Sequence, residues 1–273
     1  MFHVKQRRMD YHLHTVHSFD GRQTMRELCE TMVQRGVDEI CLTEHIEPGH
    51  PDPTVDVPPL WDVWRQEIAE MRRAFPMLTI RAGVEIGDRV PDRERTQQLL
   101  RELHLDYHLL SLHLVNDVDC YDAARYYAGK TRQRAYRDYM EAKAESVLAW
   151  QDFDCVAHIG YVSRYAPYDS AEKALRYEDA PDAFDAIFRK LIAEGKCLEV
   201  NTSGYRDTGD YLPSTGILRR YIDLGGELFT FGSDSHDMAR DYERIDEARE
   251  HVRSLGGKYQ VSFQNRKMTM YEL

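Results

Sequence analysis

The chain has 273 residues, of which 42% are hydrophobic, enough for a sizeable core in one α/β domain or two smaller ones. Its 36 lysine and arginine residues against 47 aspartate and glutamate residues give a formal net charge of −11, which disfavours general affinity for nucleic acid or an anionic membrane. The sequence has neither a signal-peptide pattern nor a long apolar run, so we expect a cytoplasmic protein. Its five cysteines form no CxxC motif and are expected to be buried, reduced thiols.

Short β-type runs alternate with stretches of helical spacing along the chain. In the first helical stretch Met25, Leu28, Met32 and Val33 recur at intervals of three and four, and Gly36 marks its end. A short run at 261–263 leads into a C-terminal piece that fits no element. The predicted strands are 9–15, 38–45, 78–87, 107–114, 154–160, 196–204 and 228–236, and the predicted helices are 24–36, 61–75, 93–103, 131–150, 181–195, 215–226 and 241–257.

This order of elements predicts one α/β domain with a parallel sheet that is closed, or nearly closed, into a barrel. A doubly wound open sheet is the structural alternative. None of the strands is followed by GxGxxG or GxxxxGK[ST], so the usual signs of a nucleotide-binding fold are missing. The proline-rich stretch 48–59 reads as a loop between the second strand and its helix, and loops of this length on a barrel often cover a site.

Side chains that bind metals lie at the carboxyl ends of six of the seven predicted strands. These ends converge on one face of a β/α barrel, so residues far apart in sequence become neighbours there. Imidazole and carboxylate groups suit zinc, manganese or iron, and a cluster of them without a cation would leave buried polar groups unpaired. The candidate residues at the strand ends are His12, His14, His45, Glu85, His113, His158, Asn201, Asp234 and His236.

Two further residues near the first strand are less simply assigned. Asp10 is in phase with the pair His12 and His14, so we expect it to accept a hydrogen bond from a ligand histidine rather than to bind metal. His17 lies beyond the strand, where contact with substrate and simple loop packing are both open.

Five other histidines are expected away from the site. His108 shares a strand face with Leu110 and Leu112, opposite to His113, and should point away from the barrel axis. The N-terminal tail, the proline-rich loop and two amphipathic helices hold the others, which are expected on the surface: His3, His50, His104 and His251.

The ordered motifs DYHLHTVHSFDG, TEH, GVE, SLH, AHIG and GSDSH resemble those of the PHP (polymerase and histidinol phosphatase) family, and the resemblance spans residues 9–240. The segment LEVNTSGYR looks most like the stand-alone histidinol-phosphate phosphatase branch. The resemblance implies that residues 1–273 form a single domain, a distorted (β/α)7 TIM-like barrel with two to three divalent ions of zinc, manganese or iron. It also implies a small-molecule phosphate ester, L-histidinol phosphate, as substrate, and leaves the oligomeric state open.

Carried over by position, the resemblance divides the ligands into three sets. Position 20 alternates between histidine and aspartate among relatives, so Asp20 is the least secure of them. The first ion would be held by His12, His14, Glu85 and Asp234, the second by the bridging Glu85 with His113 and His158, and the third by Asp20, His45 and His236.

Adjacent divalent ions lower the pKa of a bridging water and stabilise both oxygens of an in-line displacement, so attack of a metal-bridging hydroxide on phosphorus is expected. Arg164 and Arg206 stand in loops after site strands and are expected to bind the substrate phosphate, as matching arginines do in this branch. Together with Asp234 and His236 they are the expected catalytic residues. The leaving group would be protonated by His236, His17 or a metal-bound water.

Other residues of these loops are candidates for binding the rest of the substrate. Glu47, just after His45, is a possible partner for the substrate ammonium group. Four tyrosines could flank an imidazole, although packing is the commoner role of such residues: Tyr161, Tyr165, Tyr205 and Tyr211.

Three other functions remain open. A PHP phosphoesterase acting on nucleotides, such as a nucleoside bisphosphate or an oligonucleotide, is the main alternative, although the acidic charge disfavours long nucleic acid. An amidohydrolase normally uses a lysine bridge on the fourth strand, where this chain has His113. A non-catalytic metal-binding module is the third, and it is disfavoured because every expected position holds a competent ligand.

Overall fold

The seven predicted strands are all present and lie side by side in parallel. The computed structural model describes residues 7–273. Its strands are β1 (Met9–Leu13), β2 (Glu39–Ile46), β3 (Thr79–Gly87), β4 (Tyr107–Ser111), β5 (Leu114–Val115), β6 (Val118–Asp119), β7 (Cys155–Val156), β8 (Cys197–Asn201), β9 (Leu228–Gly232), β10 (Tyr259–Gln264) and β11 (Lys267–Glu272).

Helices follow the strands as the sequence predicts. The longer ones are α1 (Met25–Gln34), α2 (Trp61–Ala74), α3 (Arg93–Leu103), α5 (Arg132–Ala149), α8 (Pro181–Glu194), α10 (Thr215–Asp223) and α11 (Ile245–Ser254), and the four-residue ones are α4 (Ala123–Tyr126), α6 (Tyr161–Arg164), α7 (Ser170–Lys173) and α9 (Tyr205–Thr208). Thr24 and Glu27 form a capping box that fixes the start of α1. Pro181 begins α8, and Gly195 ends it in the left-handed conformation at φ 64°.

The main sheet has the order β1-β2-β3-β4-β7-β8-β9-β10-β11. Strands β1 and β9 meet as well, through a parallel bridge between Leu13 and Ser235 and a 2.9 Å hydrogen bond from the Asp234 backbone N to the His12 carbonyl. This contact closes seven parallel strands into a barrel. The expected (β/α)7 TIM-like barrel is therefore confirmed, and the open doubly wound sheet is wrong.

Several strands end earlier than the sequence pattern predicts. The run 154–160 yields only the two-residue β7, and the backbone N of His158 donates to the Glu199 side chain instead of to a neighbouring strand. The run 107–114 likewise breaks after Ser111, and Leu114 begins a separate hairpin with β6. At the carboxyl ends of the strands, side chains replace the sheet as hydrogen-bond partners, and the chain bends into loops.

The C-terminal segment that the sequence leaves unplaced is the hairpin of β10 and β11, which extends the sheet beyond β9. Phe263 packs with Tyr11 and Tyr107 inside the barrel, and its backbone N donates to Tyr11 Oη at 2.8 Å. The hairpin turn reaches the chain just before β4, where the Asn265 backbone N donates to Asp106 Oδ1 at 2.8 Å. The hairpin therefore covers the amino-terminal end of the barrel, which is called the floor below.

All five cysteines are buried and unpaired, as expected. Cys41, Cys155 and Cys197 lie inside the barrel with Tyr11 and Tyr107. In residues 7–273, helices that combine the length and the apolar character needed to cross a membrane are absent.

Candidate metal centre

Glu85, at the end of β3, is the centre of the carboxyl-terminal end of the barrel, called the mouth below. It is fully buried and surrounded by five imidazoles from four other loops and strands. Its Oε2 lies 3.1 Å from His12 Nε2, 3.4 Å from His14 Nε2 and 3.2 Å from His45 Nδ1. Its Oε1 lies 2.7 Å from His158 Nε2 and 3.2 Å from His113 Nε2.

Asp234 lies beside the first pair of histidines. Its Oδ1 is 3.6 Å from both His12 Nε2 and His14 Nε2. Its Oδ2 accepts hydrogen bonds from Arg164 Nη1 at 2.9 Å and Ser203 Oγ at 3.0 Å. Asp234 has a φ of 53°, a left-handed conformation that aspartate tolerates better than most residues. With one oxygen satisfied, the other remains directed at the imidazoles.

The third predicted set lies nearer to solvent. Asp20 Oδ2 is 3.1 Å from His236 Nε2, and Asp20 Oδ1 is 3.7 Å from His45 Nε2. The His14 ring stacks between the rings of His45 and His236, at centroid distances of 4.3 and 4.2 Å. The Asp20 side chain is 41% exposed, more than those of its two partners.

The donor atoms form groups of three that could each hold a metal ion. In residues 7–273, four groups have ligand atoms that all lie within 4.8 Å of one another: His12 with Glu85 and His158, His12 with His14 and Asp234, His45 with Glu85 and His113, and His14 with His45 and His236. Asp20 belongs to none of these groups. The nine predicted ligands thus meet at one mouth, with Asp20 at its edge.

Five buried donor atoms of this centre lack hydrogen bonds among the described residues. Nearly all buried polar atoms in proteins are paired, and an unpaired group needs an explanation such as an ion. Here several such atoms face one another, and nitrogen and carboxylate oxygen donors in this arrangement suit divalent transition metals. They are His12 Nε2, His14 Nε2, His45 Nδ1, His236 Nε2 and Glu85 Oε2. The residues present therefore fit divalent ions.

Carboxylates behind the histidines hold the rings in place. Glu199 Oε1 lies 2.6 Å from His12 Nδ1, and its Oε2 accepts from the His158 backbone N at 2.5 Å. Glu47 Oε1 lies 2.7 Å from His113 Nδ1. Such carboxylate–imidazole pairs fix the orientation of metal-binding histidines. Glu47 is thus engaged with a candidate ligand, although the sequence suggested it as a partner for the substrate ammonium group.

Sequence reasoning did not identify Glu199. The residue is buried on β8 and faces the barrel interior two positions before Asn201. The signal was present, because Glu199 and Asn201 are polar residues on one face of an otherwise apolar strand. The Asn201 side-chain nitrogen Nδ2 lies 3.4 Å from His12 Nδ1 and donates to Glu199 Oε2 at 3.3 Å.

Burial and charge shift the pKa values of these groups in opposite directions. Burial lowers the pKa of His45, but the nearby carboxylates, Glu85 first, outweigh it and raise the pKa to about 9. The His14 pKa is held well below its usual value by burial and by the neighbouring imidazoles of His236 and His45. Burial raises the pKa of Glu47, but His113 outweighs it and brings the pKa to about 2. Without cations, these shifts therefore favour a protonated His45 beside a neutral His14 and an ionised Glu47.

A cavity of about 780 Å³ opens above these residues. Arg164 lines it, and so do Tyr161 and Tyr165. Arg206 is absent from its lining and instead pairs with Glu243, at 2.8 Å from Nη2 to Oε1. The role of Arg206 in phosphate binding therefore remains a prediction. Tyr205 and Tyr211 also lie outside the cavity lining and pack on each other.

Other predicted histidine placements can be compared directly. His17 Nε2 pairs with Glu67 of α2 at 2.7 Å, which agrees with loop packing. His108 lies outside the mouth, with its ring at Arg266 of the floor hairpin. His50 was expected on the surface, and this was wrong: its side chain is 7% exposed, and it lines the cavity together with Pro51, Asp52, Pro53 and Val55 of the proline-rich loop. His3 lies outside the described residues.

Asp10 accepts hydrogen bonds from the backbone N of His12 at 3.3 Å and of Ser233 at 3.0 Å. It thus contacts a candidate ligand residue as expected, but through the backbone and not the imidazole. The register of β1 against β2 shifts between Asp10 and Leu13, and such a shift breaks the alternation of faces on which the expectation relied.

Comparisons with known proteins agree with this geometry. The family model for the PHP domain matches residues 10–203. The histidinol-phosphatase of Lactococcus lactis subsp. lactis is 28% identical over 266 residues, which cover 96% of each chain.

One similar solved structure is histidinol phosphate phosphatase from the same organism, complexed with zinc, L-histidinol and phosphate. Its TM-score is 0.87 at 26% sequence identity, and the match covers 96% of this chain and 99% of that one. The structure of hisK from Listeria monocytogenes has a TM-score of 0.72 and 19% identity, covering 85% of this chain and 97% of that one. This second likeness supports the fold alone.

Proposed function

The chain belongs to the PHP domain family, and from this premise we propose that it is a metal-dependent phosphomonoesterase that hydrolyses L-histidinol phosphate to L-histidinol and phosphate. The observation that carries the proposal is the mouth itself, where Glu85 lies within 3.4 Å of five imidazoles while Arg164 reaches the same cavity. One domain over residues 1–273 is part of this proposal, as is a cytoplasmic location.

We assign the ion-binding role to three sets of side chains, supported by their distances. Divalent ions bound there supply Lewis acidity toward a phosphate ester and lower the pKa of water, which is the chemistry of phosphoester hydrolysis. Glu85 belongs to two sets because its two oxygens face different imidazoles. The sets are His12, His14, Glu85 and Asp234; Glu85, His113 and His158; and Asp20, His45 and His236.

The protein's own residues orient the ester and balance its charge. Arg164 is held by Asp234 through Nη1, and its planar guanidinium suits the oxygens of a phosphate group. Its position in the cavity lining supports a contact with the phosphate in the transition state as well as in the substrate.

Protonation of the leaving alkoxide is the remaining catalytic task. His236 lines the cavity, and its Nδ1 lies 3.0 Å from the Asp234 carbonyl, which fixes the ring orientation. His17 is the weaker candidate because its Nε2 is engaged by Glu67. His236 Nε2 is the atom assigned to the third ion and its Nδ1 faces that carbonyl, so His236 has no proton to donate while the ion is bound, and neither histidine is assigned as the general acid.

Phosphate release from a panel of esters by the metal-loaded protein tests the proposal. The panel contains L-histidinol phosphate, p-nitrophenyl phosphate and a nucleoside 3′,5′-bisphosphate, each assayed with zinc, manganese and iron. We expect the highest kcat/KM on L-histidinol phosphate. A value no better than that for p-nitrophenyl phosphate would contradict the substrate, and a preference for the bisphosphate would favour the nucleotide-hydrolysing alternative.

The same assay separates the remaining alternatives. The lining of the cavity, as far as the described residues show it, includes no lysine that could serve as the bridge of an amidohydrolase. If the metal-loaded protein releases no phosphate from any ester, the result favours the non-catalytic metal-binding module. Metal content measured on the same samples distinguishes that result from simple loss of the ions.

A further inference from the structure

A second cavity opens at the edge of the floor and is called the floor cavity below. It has a volume of about 620 Å³ and lies between α2, the end of α3, the start of β3 and the turn of the C-terminal hairpin. Within residues 7–273 it shares no lining residue with the cavity at the mouth. The floor cavity is therefore separate from the metal centre.

Positive charge predominates in the lining of the floor cavity. Among the described residues that line it are three arginines, Arg65, Arg72 and Arg81, and a single acid, Asp106. The Asp106 carboxylate is already engaged, since it accepts a hydrogen bond from the Ala82 backbone N at 3.0 Å. The whole chain has a formal net charge of −11, so this local balance is opposite in sign. Such a surplus of positive charge favours an anionic ligand.

The three arginine heads are held at the wall and still have donors to offer. Arg72 Nε and Nη2 both donate to the Ile80 carbonyl, at 2.9 and 2.7 Å, and Arg65 Nη2 donates to the Leu103 carbonyl at 3.0 Å. Arg81 donates through Nε alone, to a carboxylate of the floor. Within residues 7–273, at least one nitrogen of each head, such as Arg72 Nη1, forms no hydrogen bond. These donors are already in position for an anionic group, which lowers the cost of binding it.

Trp64 also lines the floor cavity, and its indole nitrogen has no partner. The residue is fully buried, and its Nε1 forms no hydrogen bond within residues 7–273. A buried indole N–H usually finds an acceptor, so an unpaired one needs an explanation. A ligand that carries acceptor oxygens into the floor cavity would provide it.

Aliphatic side chains form much of the remaining wall, and they define the body of the ligand. Most of them are buried members of the core: Ile68, Leu78, Ile80, Leu103 and Leu105. Small-molecule sites of about 300 to 1,000 Å³ typically combine such apolar walls with a few placed polar groups. An inorganic anion alone would leave most of this volume unfilled. The lining therefore matches a ligand with an apolar body and an anionic head.

We propose that the floor cavity binds a small organic anion, a molecule that joins an apolar body to a carboxylate, sulfonate or phosphate group. The anionic group accepts hydrogen bonds from Arg65, Arg72 and Arg81, and the body packs against Trp64 and the aliphatic wall. This second site goes beyond the proposed phosphoesterase activity and does not depend on it.

The test uses two fluorescent probes with the same aromatic body, 8-anilino-1-naphthalenesulfonate and N-phenyl-1-naphthylamine. They differ in the sulfonate group, which the second probe lacks. Each is titrated into the metal-loaded wild type and Arg72→Gln. We expect the affinity of the variant for the sulfonate to fall about 5- to 20-fold, because a charge-assisted hydrogen bond is lost. The affinity for the uncharged probe should change by less than about twofold.

Arg73→Gln is the matched control, because it removes the same charge from the next position of α2, where the side chain is exposed and lies outside the lining. It should change the affinity for either probe by less than about twofold. If Arg72→Gln is not recovered folded, Arg65→Gln replaces it and must show the same selective loss for the sulfonate. Phosphate release from p-nitrophenyl phosphate is measured on every variant.

Three results would overturn the proposal. One is a wild type that does not bind the sulfonate, and another is a loss in Arg72→Gln that is equal for both probes or is reproduced by Arg73→Gln. The third is binding at the mouth, recognised when the sulfonate inhibits phosphate release competitively and its affinity is unchanged in Arg72→Gln. A selective loss in Arg72→Gln, with phosphate release retained, supports an anion site at the floor cavity.

Discussion

The two ends of the barrel treat buried charge in opposite ways. At the floor, Glu39 is fully buried and receives hydrogen bonds from Tyr11 Oη and, at 2.9 Å, from Arg81 Nε, while Arg7 Nη2 lies 2.7 Å from its other oxygen. At the mouth, Glu85 is equally buried but has imidazoles as its only described close partners. The floor neutralises its carboxylate with permanent cations, whereas the mouth leaves its carboxylate to titratable groups.

This difference suits the mouth, and not the floor, to holding metal ions. Arginine keeps its charge at any ordinary pH, so the ion pairs of the floor are complete without a ligand. Imidazoles can release their protons and then offer lone pairs, so the mouth can exchange protons for metal ions. We expect substitutions at the mouth to change metal content and activity, and substitutions at the floor to change stability.

The largest effect is expected for Glu85→Gln at the mouth. The amide removes the negative charge that faces two proposed ion sites, so we expect loss of at least one ion per chain and a fall in kcat/KM of at least about 1,000-fold. Metal analysis and phosphate release from L-histidinol phosphate measure the two effects, and circular dichroism checks the fold. A variant that kept its metal content and lost less than tenfold in activity would contradict the central role of Glu85.

Glu39→Gln tests the other side of the comparison. Removing the charge leaves Arg7 and Arg81 without their counter-ion, and breaking a buried pair in this way costs about 3 kcal/mol. We expect a Tm lower by about 6 to 12 °C. The kcat/KM should stay within about twofold of wild type. A loss of metal from this variant, with Tm unchanged, would mean that the two ends do not divide stability and function as we infer.

The sequence predicts most residues of the mouth but not the ion pairs of the floor. The ligands of the mouth lie at strand ends in recurring motifs, and a barrel brings strand ends together whatever the details of its packing. Glu39 and Arg81 carry no such signal, because their pairing depends on the register of β2 against β3, in which Cys41 is the partner of Arg81. For the same reason, the sequence pattern does not predict the hairpin of β10 and β11 that completes the floor.

The positions of Glu199 and His50 were missed for physical reasons that differ. Glu199 looks like one polar residue in an apolar strand, and only the closed barrel shows that it reaches the His12 ring. His50 looks solvated because its loop is rich in proline and aspartate, yet residues of this loop line the cavity.

Glu199→Gln should have an intermediate effect that sharpens the description of the mouth. The carboxylate accepts at both oxygens, from the His12 ring and the His158 backbone N. An amide can accept at only one of its two atoms, so one donor is left opposed by an NH2 group. We expect metal affinity to weaken about 10- to 100-fold, with kcat largely restored at saturating metal. Titration of the metal-free protein measures this, and an unchanged affinity would show that the two histidines are held without Glu199.

Lys143 provides the smallest test, because its buried charge forms no ion pair within residues 7–273. It lies fully buried on α5, and its Nζ donates to the Leu110 carbonyl at 3.3 Å. Burial lowers its pKa from 10.5 to about 8, although Glu85 and Glu199 partly oppose the shift. Below pH 8 the folded state therefore carries the unfavourable burial of an ammonium group.

We expect Lys143→Met to raise the free energy of unfolding at pH 7 by about 1 to 2 kcal/mol. Between pH 8 and 10.5 the unfolded wild-type chain binds more protons at this position than the folded one, so wild-type stability gains with rising pH. The advantage of the variant must therefore shrink over that range. Tm measured for both proteins from pH 7 to 10 checks the sign, since an advantage that stays constant or grows with pH would mean that Lys143 is not charged in the folded protein at pH 7.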